Sequence, residues 1–163
     1  MINSDRDKIC NRKQLVTNLD EEKANGKTIV LGGGCFDVFH IGFLNYLKEA
    51  KKLGDVLVVG VNTDQSVKRA KKNPPLFDEE QRLYVVSSLE CVDYVFKFDE
   101  DTLEASIREI VPHIFVKGAD YVDKQVLEET AVKSLGIGLK LVGDKANSSV
   151  EVVKKFNQRF LEK

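Results

Sequence analysis

A glycine-rich segment with one histidine lies between an apolar strand and a helix near the start of the chain. Residues 32–43 read GGGCFDVFHIGF and follow the β-branched, apolar stretch Thr28–Leu31. Glycines let a backbone approach a ligand closely, and the helix predicted to begin at about Ile41 turns its free N–H groups toward any phosphate placed there. The segment therefore predicts a nucleotide site. His40 is its first candidate for a catalytic role, because it lies beside the glycines and Asp37.

Cationic side chains occur at two further places where a phosphate could bind. Lys68, Arg69, Lys71 and Lys72 form a cluster just before a loop that contains two prolines. Such a cluster is most often a solvated helix face, which remains the alternative to phosphate binding. Lys117 ends a predicted buried strand, where a charge is costly unless it emerges at the carboxyl edge of the sheet, the usual ligand side of such folds. These lysines are therefore candidate ligands for an anion.

Composition limits the classes of partner. The chain has 163 residues, with 25 basic and 26 acidic side chains, so its net charge draws it to neither nucleic acid nor a membrane surface. Its apolar runs fall short of the roughly 20 residues that a membrane span needs, and its N-terminus is polar, so we expect a cytoplasmic protein. Three cysteines without C-x-x-C spacing support neither a disulfide framework nor a zinc site.

The periodicity of the chain predicts a three-layer α/β fold around a five-stranded parallel sheet. Apolar runs typical of buried strands alternate with stretches of helical periodicity: strands at residues 28–31, 56–61, 94–96, 114–117 and 139–142, and helices at 41–53, 63–71, 78–88, 103–110, 124–134 and 148–161. Residues 1–26 are charged and are predicted to form a loose arm with one helix. Residues 27–163 are predicted to form the domain that carries the nucleotide site.

The pattern G-x-F-D-x-x-H-x-G, from Gly34 to Gly42, is more specific than the glycines alone. It resembles the first motif of the nucleotidyltransferases of the cytidylyltransferase-like superfamily, whose fold is a three-layer Rossmann-like one. The resemblance implies that the nucleotide approaches the backbone at Gly34 and at its two neighbours. It also implies that the histidine donates to the phosphates and that Gly42 leaves room for the triphosphate. The residues to which it assigns these roles in nucleotide binding are Gly34, Cys35, Phe36, Asp37 as the brace of the turn, His40 and Gly42.

This chain departs from the family motif at one position. The family continues to H-x-G-H, which places two histidines three residues apart on one helical face. Here the second histidine is replaced by Phe43, which has no hydrogen-bond donor and can only shape the nucleotide pocket. The resemblance leaves His40 and Lys71 as the residues expected to act on the transferring phosphate.

Three further segments extend the resemblance over nearly the whole chain. The second strand and the helices after it supply expected substrate ligands, the loop after the fourth strand lies near the base and ribose, and the start of the last helix faces the phosphates. The substrate ligands are Asn62, Asp64, Lys68 and Arg82, and the further nucleotide ligands are Lys117, Gly118, Asp120, Tyr121, Ser148 and Ser149. Val150 stands where the family carries a hydroxyl, which removes a second donor.

The phrases V-N-x-D-x-S-V-K-R, L-x-C-V-D-x-V and V-K-G-x-D-Y are most similar to the heptose 1-phosphate adenylyltransferases, including the transferase half of the bifunctional heptose-phosphate kinase/adenylyltransferase. The resemblance implies transfer of AMP from ATP, or of another nucleotide from its triphosphate, to a phosphorylated sugar, with Mg²⁺ bound to the triphosphate and a possible homodimer. Two alternatives remain open. One is a cytidylyltransferase acting on a small polyol or alcohol phosphate, and the other is a degenerate nucleotide-binding sensor or partner protein.

Overall fold

The computed structural model describes residues 5–144 and 149–161. Five strands alternate with helices along the chain. The strands are β1 (Ile29–Gly34), β2 (Val56–Asn62), β3 (Tyr94–Phe98), β4 (Ile114–Gly118) and β5 (Gly138–Val142). The helices are α1 (Arg12–Ala24), α2 (Ile41–Lys51), α3 (Asp64–Lys71), α4 (Glu79–Ser87), α5 (Glu104–Ile110), α6 (Glu129–Ser134) and α7 (Ser149–Phe160).

The five strands form one parallel sheet in the order β3-β2-β1-β4-β5. The central strand β1 is hydrogen-bonded on both sides, to β2 and to β4. Both faces of the sheet are covered, which is why its strands read as continuous apolar runs rather than as alternating ones. The predicted three-layer Rossmann-like architecture is therefore confirmed.

Two apolar clusters, one on each face of the sheet, form the core. Along β1, Ile29 and Leu31 contribute to one cluster and Val30 to the other, as the two-residue period of a strand requires. Helices α1, α5 and α6 cover the first face, and α2 and α4 cover the second. Leu15 and Leu19 of α1 are fully buried, so the helix predicted within residues 1–26 is part of the core.

The structure corrects three expectations about the elements. The glycines of the motif do not follow the first strand but belong to it, because β1 extends to Gly34. The helix predicted over residues 124–134 begins only at Glu129. The predicted loose arm is held to the sheet where the structure describes it, since Ile9 pairs with Val95 and the amide of Cys10 donates to the Val95 carbonyl at 2.9 Å. No helix within the described residues is long and apolar enough to cross a membrane.

Candidate active site

The carboxyl ends of β1 and β4 lie on either side of a crevice at the centre of the sheet. The strand order reverses here, because β2 and β3 lie beyond one side of β1 and β4 and β5 beyond the other. Ligands of open α/β sheets bind outside the carboxyl ends of the strands at such a switch point. The register joins Val30 to Ile114 and Leu31 to Phe115 and goes no further. The two strands thus separate before they end, and residues 35–40, here called the motif loop, lie at the separation.

Tyr46 of α2 bridges the separated ends of β1 and β4. Its hydroxyl accepts a hydrogen bond from the amide of Gly33 at 3.3 Å and donates one to the carbonyl of Val116 at 3.2 Å. Burial raises the pKa of Tyr46, so the hydroxyl remains protonated and able to donate. A Cβ on Gly32 would lie 2.5 Å from this oxygen. This glycine is therefore required by internal packing and not, as its sequence context suggested, by the approach of a ligand.

The motif loop has a strained backbone. Phe36 and Val38 adopt φ angles of 54° and 48°, in the left-handed region where a residue with a side chain costs about 1–3 kcal/mol. The ring of Phe36 is buried in the core, which holds its backbone in place. The nearest atoms to a Cβ on Gly34 belong to that ring, at 3.5 Å, so Gly34 has space that Gly32 lacks. Strain of this kind is typical of ligand sites that the surrounding structure holds rigid.

Asp37 joins the motif loop to the loop between α3 and α4. Its two carboxylate oxygens accept hydrogen bonds from the amides of Leu76 and Phe77, at 3.0 and 3.1 Å. The sequence predicted Asp37 as a brace, and the structure shows that the braced segment lies about forty residues away. The side chains of Leu76 and Phe77 are exposed, so this contact places an apolar loop beside the candidate site.

Arg82 is the most highly connected side chain of the site, and it is 1% exposed. Its guanidinium donates to the carbonyls of Phe77 (2.9 Å), Cys35 (2.6 Å) and Asn62 (2.8 Å), and to the carboxylate of Asp64 (2.7 Å). These bonds tie the motif loop, the end of β2 and the start of α3 to α4. Arg82 was expected to bind a substrate phosphate. In this structure four of its five N–H groups donate to the protein, and its role as a substrate ligand stays a prediction.

His40 caps the first turn of α2. Its backbone is extended, and its Nδ1 accepts a hydrogen bond from the amide of Gly42 at 3.1 Å. Because Nδ1 supplies a lone pair, the proton of the neutral imidazole is on Nε2. No described residue accepts a hydrogen bond from that nitrogen. Burial lowers the pKa of His40, which favours the neutral ring. The structure thus provides one N–H donor, at the positive end of a helix dipole and beside the crevice.

Phe43 stacks on His40. The ring centroids lie 4.3 Å apart, with an angle of 28° between the planes. Phe43 also contacts the rings of Phe36 at 5.3 Å and Phe39 at 5.7 Å. These four side chains form what we call the aromatic cluster. The position that carries a second histidine in the family motif is therefore filled by a packed aromatic ring, as its apolar character predicted.

Lys117 is paired with a buried carboxylate. Its ammonium lies 2.9 Å from Oε1 of Glu128, whose side chain is 3% exposed. The same oxygen accepts a hydrogen bond from the amide of Leu103 at 3.2 Å. The ammonium also lies 5.6 Å from the ring centroid of Phe115 and 5.0 Å from that of Tyr121. The predicted nucleotide ligand Lys117 is therefore partly buried at the end of β4 and already has an anionic partner.

The segment after β4 forms a short 3₁₀ turn over Ala119–Tyr121. Asp120 is exposed and pairs with Lys124 at 3.2 Å, and Tyr121 is half-buried against the core. A Cβ on Gly118 would lie 2.5 Å from the carboxylate of Asp120. The structure thus places the three predicted ligands Gly118, Asp120 and Tyr121 together beside the crevice, and their role in nucleotide binding stays a prediction.

Among the described residues, Lys68 and Lys71 of α3 share no hydrogen bond or ion pair with His40. Lys68 and Lys71 are exposed near the carboxyl end of the helix, and the loop that follows leads back to the motif loop through Asp37. Asn62, at the end of β2, donates a hydrogen bond from its side chain to Ser66 at 2.9 Å. The predicted phosphate ligands Lys68 and Lys71 are thus one loop away from the strained motif, and their role stays a prediction.

The final predicted ligands are Ser148 and Ser149. Ser148 is outside the described residues, and α7 begins at Ser149. The turn that follows β5 contacts α2, because the side chain of Asn45 donates to Asp144 at 3.3 Å. Along α7, the apolar side chains from Val150 to Phe160 are exposed.

The described residues do not offer a ready-made cage for Mg²⁺. No group of three or more histidine, cysteine, aspartate or glutamate side chains within them could hold a metal ion. The carboxylates of the motif loop and of α3 are committed to the protein, Asp37 to backbone amides and Asp64 to Arg82. Magnesium commonly binds through substrate phosphates and water. Mg²⁺ bound with the nucleotide stays a prediction.

Sequence reasoning missed two residues of the site, Tyr46 and Glu128. Tyr46 lies three residues after Phe43 on the buried face of α2, so its spacing could have marked it as a neighbour of the motif. Glu128 had no such signal, because an isolated glutamate before a helix is usually exposed. Both act through hydrogen bonds to backbone atoms or to partners far away in the chain.

The chain is similar to known proteins over most of its length. The chain is 40% identical over 163 residues to the bifunctional protein HldE of Pelobacter propionicus, covering 98% of this chain and 33% of that protein. It is 45% identical over 141 residues to the HldE of Geobacter metallireducens, covering 85% of this chain and 29% of the relative. The chain therefore spans about a third of the length of the curated relatives that it matches.

A solved structure also shares this fold. The lipopolysaccharide core biosynthesis protein of Thermoplasma volcanium superposes with a TM-score of 0.62 and 38% sequence identity, over 75% of this chain and 100% of that one. The sequence profile of the family described as Cytidylyltransferase-like matches residues 31–158. That range runs from β1 into α7 and includes the motif loop, the crevice and Arg82. The chain belongs to the cytidylyltransferase-like family.

Proposed function

We propose that this protein is a nucleotidyltransferase that transfers a nucleoside monophosphate, AMP from ATP, to a sugar 1-phosphate such as heptose 1-phosphate, with release of pyrophosphate. The observation that carries the proposal is the strained motif loop at the switch point of the sheet, which ends in a histidine with one N–H donor. The identity of about 40% to the HldE proteins supports the choice of this substrate class.

The chemistry requires positioning more than covalent catalysis. An oxygen of the sugar phosphate attacks the α-phosphorus in line, the bond to the β-phosphate oxygen breaks, and pyrophosphate leaves. Charge grows on the phosphate oxygens as the bonds exchange, and preorganised donors stabilise it. Nε2–H of His40 is one such donor, because Nδ1 of the same ring already accepts the amide proton of Gly42. Mg²⁺ bound with the triphosphate would neutralise part of the same charge.

The departures from the family motif are expected to slow this reaction. Phe43 and Val150 each replace a group that could donate a hydrogen bond. Loss of one oxyanion donor typically costs about 3 kcal/mol, or about a hundredfold in rate. Lys71 and Lys145 are the cations that could take over, the first one loop away from the motif and the second outside the described residues.

Release of pyrophosphate tests the proposal directly. Purified protein is incubated with Mg²⁺, one of four nucleoside triphosphates and a panel of phosphorylated sugars and polyols, and pyrophosphate is measured with a coupled assay. We expect release with ATP and a sugar 1-phosphate. A preference for CTP and a polyol phosphate would instead favour the cytidylyltransferase alternative.

A matched pair of histidine variants separates the site from general effects. His40→Ala should abolish release. His113→Ala should leave it unchanged, because His113, the second of two histidines in the chain, accepts a hydrogen bond from Ile29 at the opposite edge of the sheet. If calorimetry shows ATP binding but no combination in the panel releases pyrophosphate, the nucleotide-binding sensor or partner is the better description.

A further inference from the structure

Two contacts with different geometry hold the imidazole of His40. Nδ1 accepts the amide proton of Gly42 at 3.1 Å, and the face of the ring stacks on Phe43 with a centroid distance of 4.3 Å. The hydrogen bond restrains one ring atom but leaves the ring free to tilt about that bond. The stack restrains the plane. Together they hold the imidazole in one orientation, with Nδ1 bonded to Gly42 and Nε2–H as the remaining donor.

The ring of Phe43 is itself held from two further directions. Phe36 meets it edge-on at 5.3 Å and 62°, and Phe39 lies against it at 5.7 Å. Phe36 is 3% exposed and has a left-handed backbone. A ring anchored in this way is a rigid surface, since each of its neighbours is fixed by the core or by the start of α2.

We propose that Phe43 is a positioning residue, which fixes the plane of the His40 ring and so maintains the bond from Gly42 that leaves Nε2–H as the donor to the transferring phosphate. The inference rests on the proposed function, in which His40 donates to that phosphate. Its physical basis is that a flip or tilt of the imidazole would break either the bond to Gly42 or the contact with Phe43. The phenylalanine thus removes one donor from the family motif and makes the remaining donor more rigid.

The tautomer of His40 can be measured in the free protein by ¹⁵N-resolved NMR of the histidine side chains. The chain contains two histidines, and both accept a backbone amide proton at Nδ1, from Gly42 at 3.1 Å and from Ile29 at 2.9 Å. His113 therefore serves as an internal reference, because its own hydrogen bond from Ile29 should be unaffected by a change at Phe43. We expect both histidines of the unmodified protein to show the Nε2–H tautomer.

Two leucine variants separate the effect of the His40–Phe43 stack from the effect of other contacts in the aromatic cluster. Phe43→Leu removes the ring and retains apolar bulk. Phe39→Leu is the matched control, because Phe39 contacts Phe36 and Phe43 in the same aromatic cluster. In Phe43→Leu we expect His40 to populate both tautomers, or to show exchange-broadened nitrogen signals, while His113 is unchanged. In Phe39→Leu we expect both histidines to resemble the unmodified protein.

Kinetics give a second measurement. In Phe43→Leu we expect kcat to fall by about two- to tenfold, which is the free energy of one aromatic pair expressed as a change in rate. We expect KM to change less than twofold. Phe43→Tyr should restore both the tautomer and kcat. If Phe43→Leu does not fold, as judged by the His113 signals, Phe43→Met replaces it.

A His40 spectrum that is identical in the unmodified protein and in a folded Phe43→Leu variant would overturn the proposal. The NMR result does not depend on turnover. Absence of pyrophosphate release in every protein would therefore refute the proposed function alone, and it would leave the positioning of His40 to be decided by the spectra.

Discussion

Replacing Arg82 with methionine should destabilise the fold strongly, although the guanidinium lies beside the candidate site. The side chain is 1% exposed and donates to three backbone carbonyls and to Asp64. Methionine retains most of the aliphatic volume and removes every donor. The change therefore tests the hydrogen bonds of Arg82 rather than its packing.

The expected loss of stability in Arg82→Met follows from the groups that lose their hydrogen-bond partner. Breaking a buried ion pair by removing one partner costs about 3–5 kcal/mol. The side chain of Asp64 is 39% exposed, so water can solvate its carboxylate once Arg82 is gone. The cost of breaking this ion pair is therefore expected near the lower end of that range. The carbonyls of Cys35, Asn62 and Phe77 each lose a donor, at about 1–3 kcal/mol for any carbonyl that stays buried. Because the motif loop can relax, we expect a total loss of about 3–5 kcal/mol in the free energy of unfolding.

Urea denaturation followed by circular dichroism measures this loss. Arg82→Lys retains the charge but cannot span four acceptors in one plane, so we expect an intermediate loss. Arg108→Met is the matched surface control. Its guanidinium pairs with Glu104 one helical turn away and is half exposed, and such pairs are worth about 0.3–0.5 kcal/mol.

Two outcomes would refute this reasoning. A loss below about 1 kcal/mol in Arg82→Met would show that its hydrogen bonds contribute little to stability. An Arg82→Lys protein with the stability of the unmodified chain but a much higher KM for the phosphorylated substrate would show that Arg82 is a phosphate ligand, as its place in the family motif first suggested.

Three further predictions concern the other charged and aromatic groups of the site. Lys117→Met leaves the buried Glu128 unpaired and should cost about 3 kcal/mol in urea denaturation. Most of that loss should be recovered in Lys117→Met/Glu128→Gln, whose amide oxygen can still accept from Leu103, and no recovery would contradict the ion-pair account. His40 should titrate in NMR below the ordinary value of 6.5. Because the unfolded chain then takes up the proton first, stability should decrease as pH falls below 6.5 toward the folded-state pKa, and a titration at or above 6.5 would show that the ring is not desolvated. Phe43→His restores the donor of the family motif and should raise the rate of pyrophosphate release by up to about a hundredfold, whereas an unchanged rate would indicate that another cation already fills that role.

Local patterns in the chain were enough to predict most of the fold. The apolar run 56–61 is short, β-branched and bounded by turn residues, and it forms β2 with one residue added. The segment 124–134 has helical periodicity, but its first part folds as turns and only Glu129–Ser134 is helical. Such errors arise at element ends, where capping and tertiary contacts outweigh the local preference.

The candidate residues of the motif could also be predicted from their spacing in the sequence. The spacing of Gly34, Asp37, His40 and Gly42 is fixed by a strand, a turn and the first turn of a helix, and all of these are short-range structures. The hydrogen bond between His40 and Gly42 spans two residues. The family, the motif and its histidine could therefore be predicted from residues close together in the chain.

The roles of Arg82, Tyr46 and Glu128 depended on the tertiary structure. Arg82 ties Cys35, 47 residues earlier, to the end of β2, and its expected contact with substrate stays a prediction. The Tyr46 hydroxyl reaches a carbonyl 70 residues away. The sequence by itself determined most of the elements and which histidine lies at the start of α2, because those follow from neighbours within one or two turns. Only the tertiary structure decided which charged and polar groups are left for a ligand, because a buried donor or acceptor must find a partner wherever the fold places one.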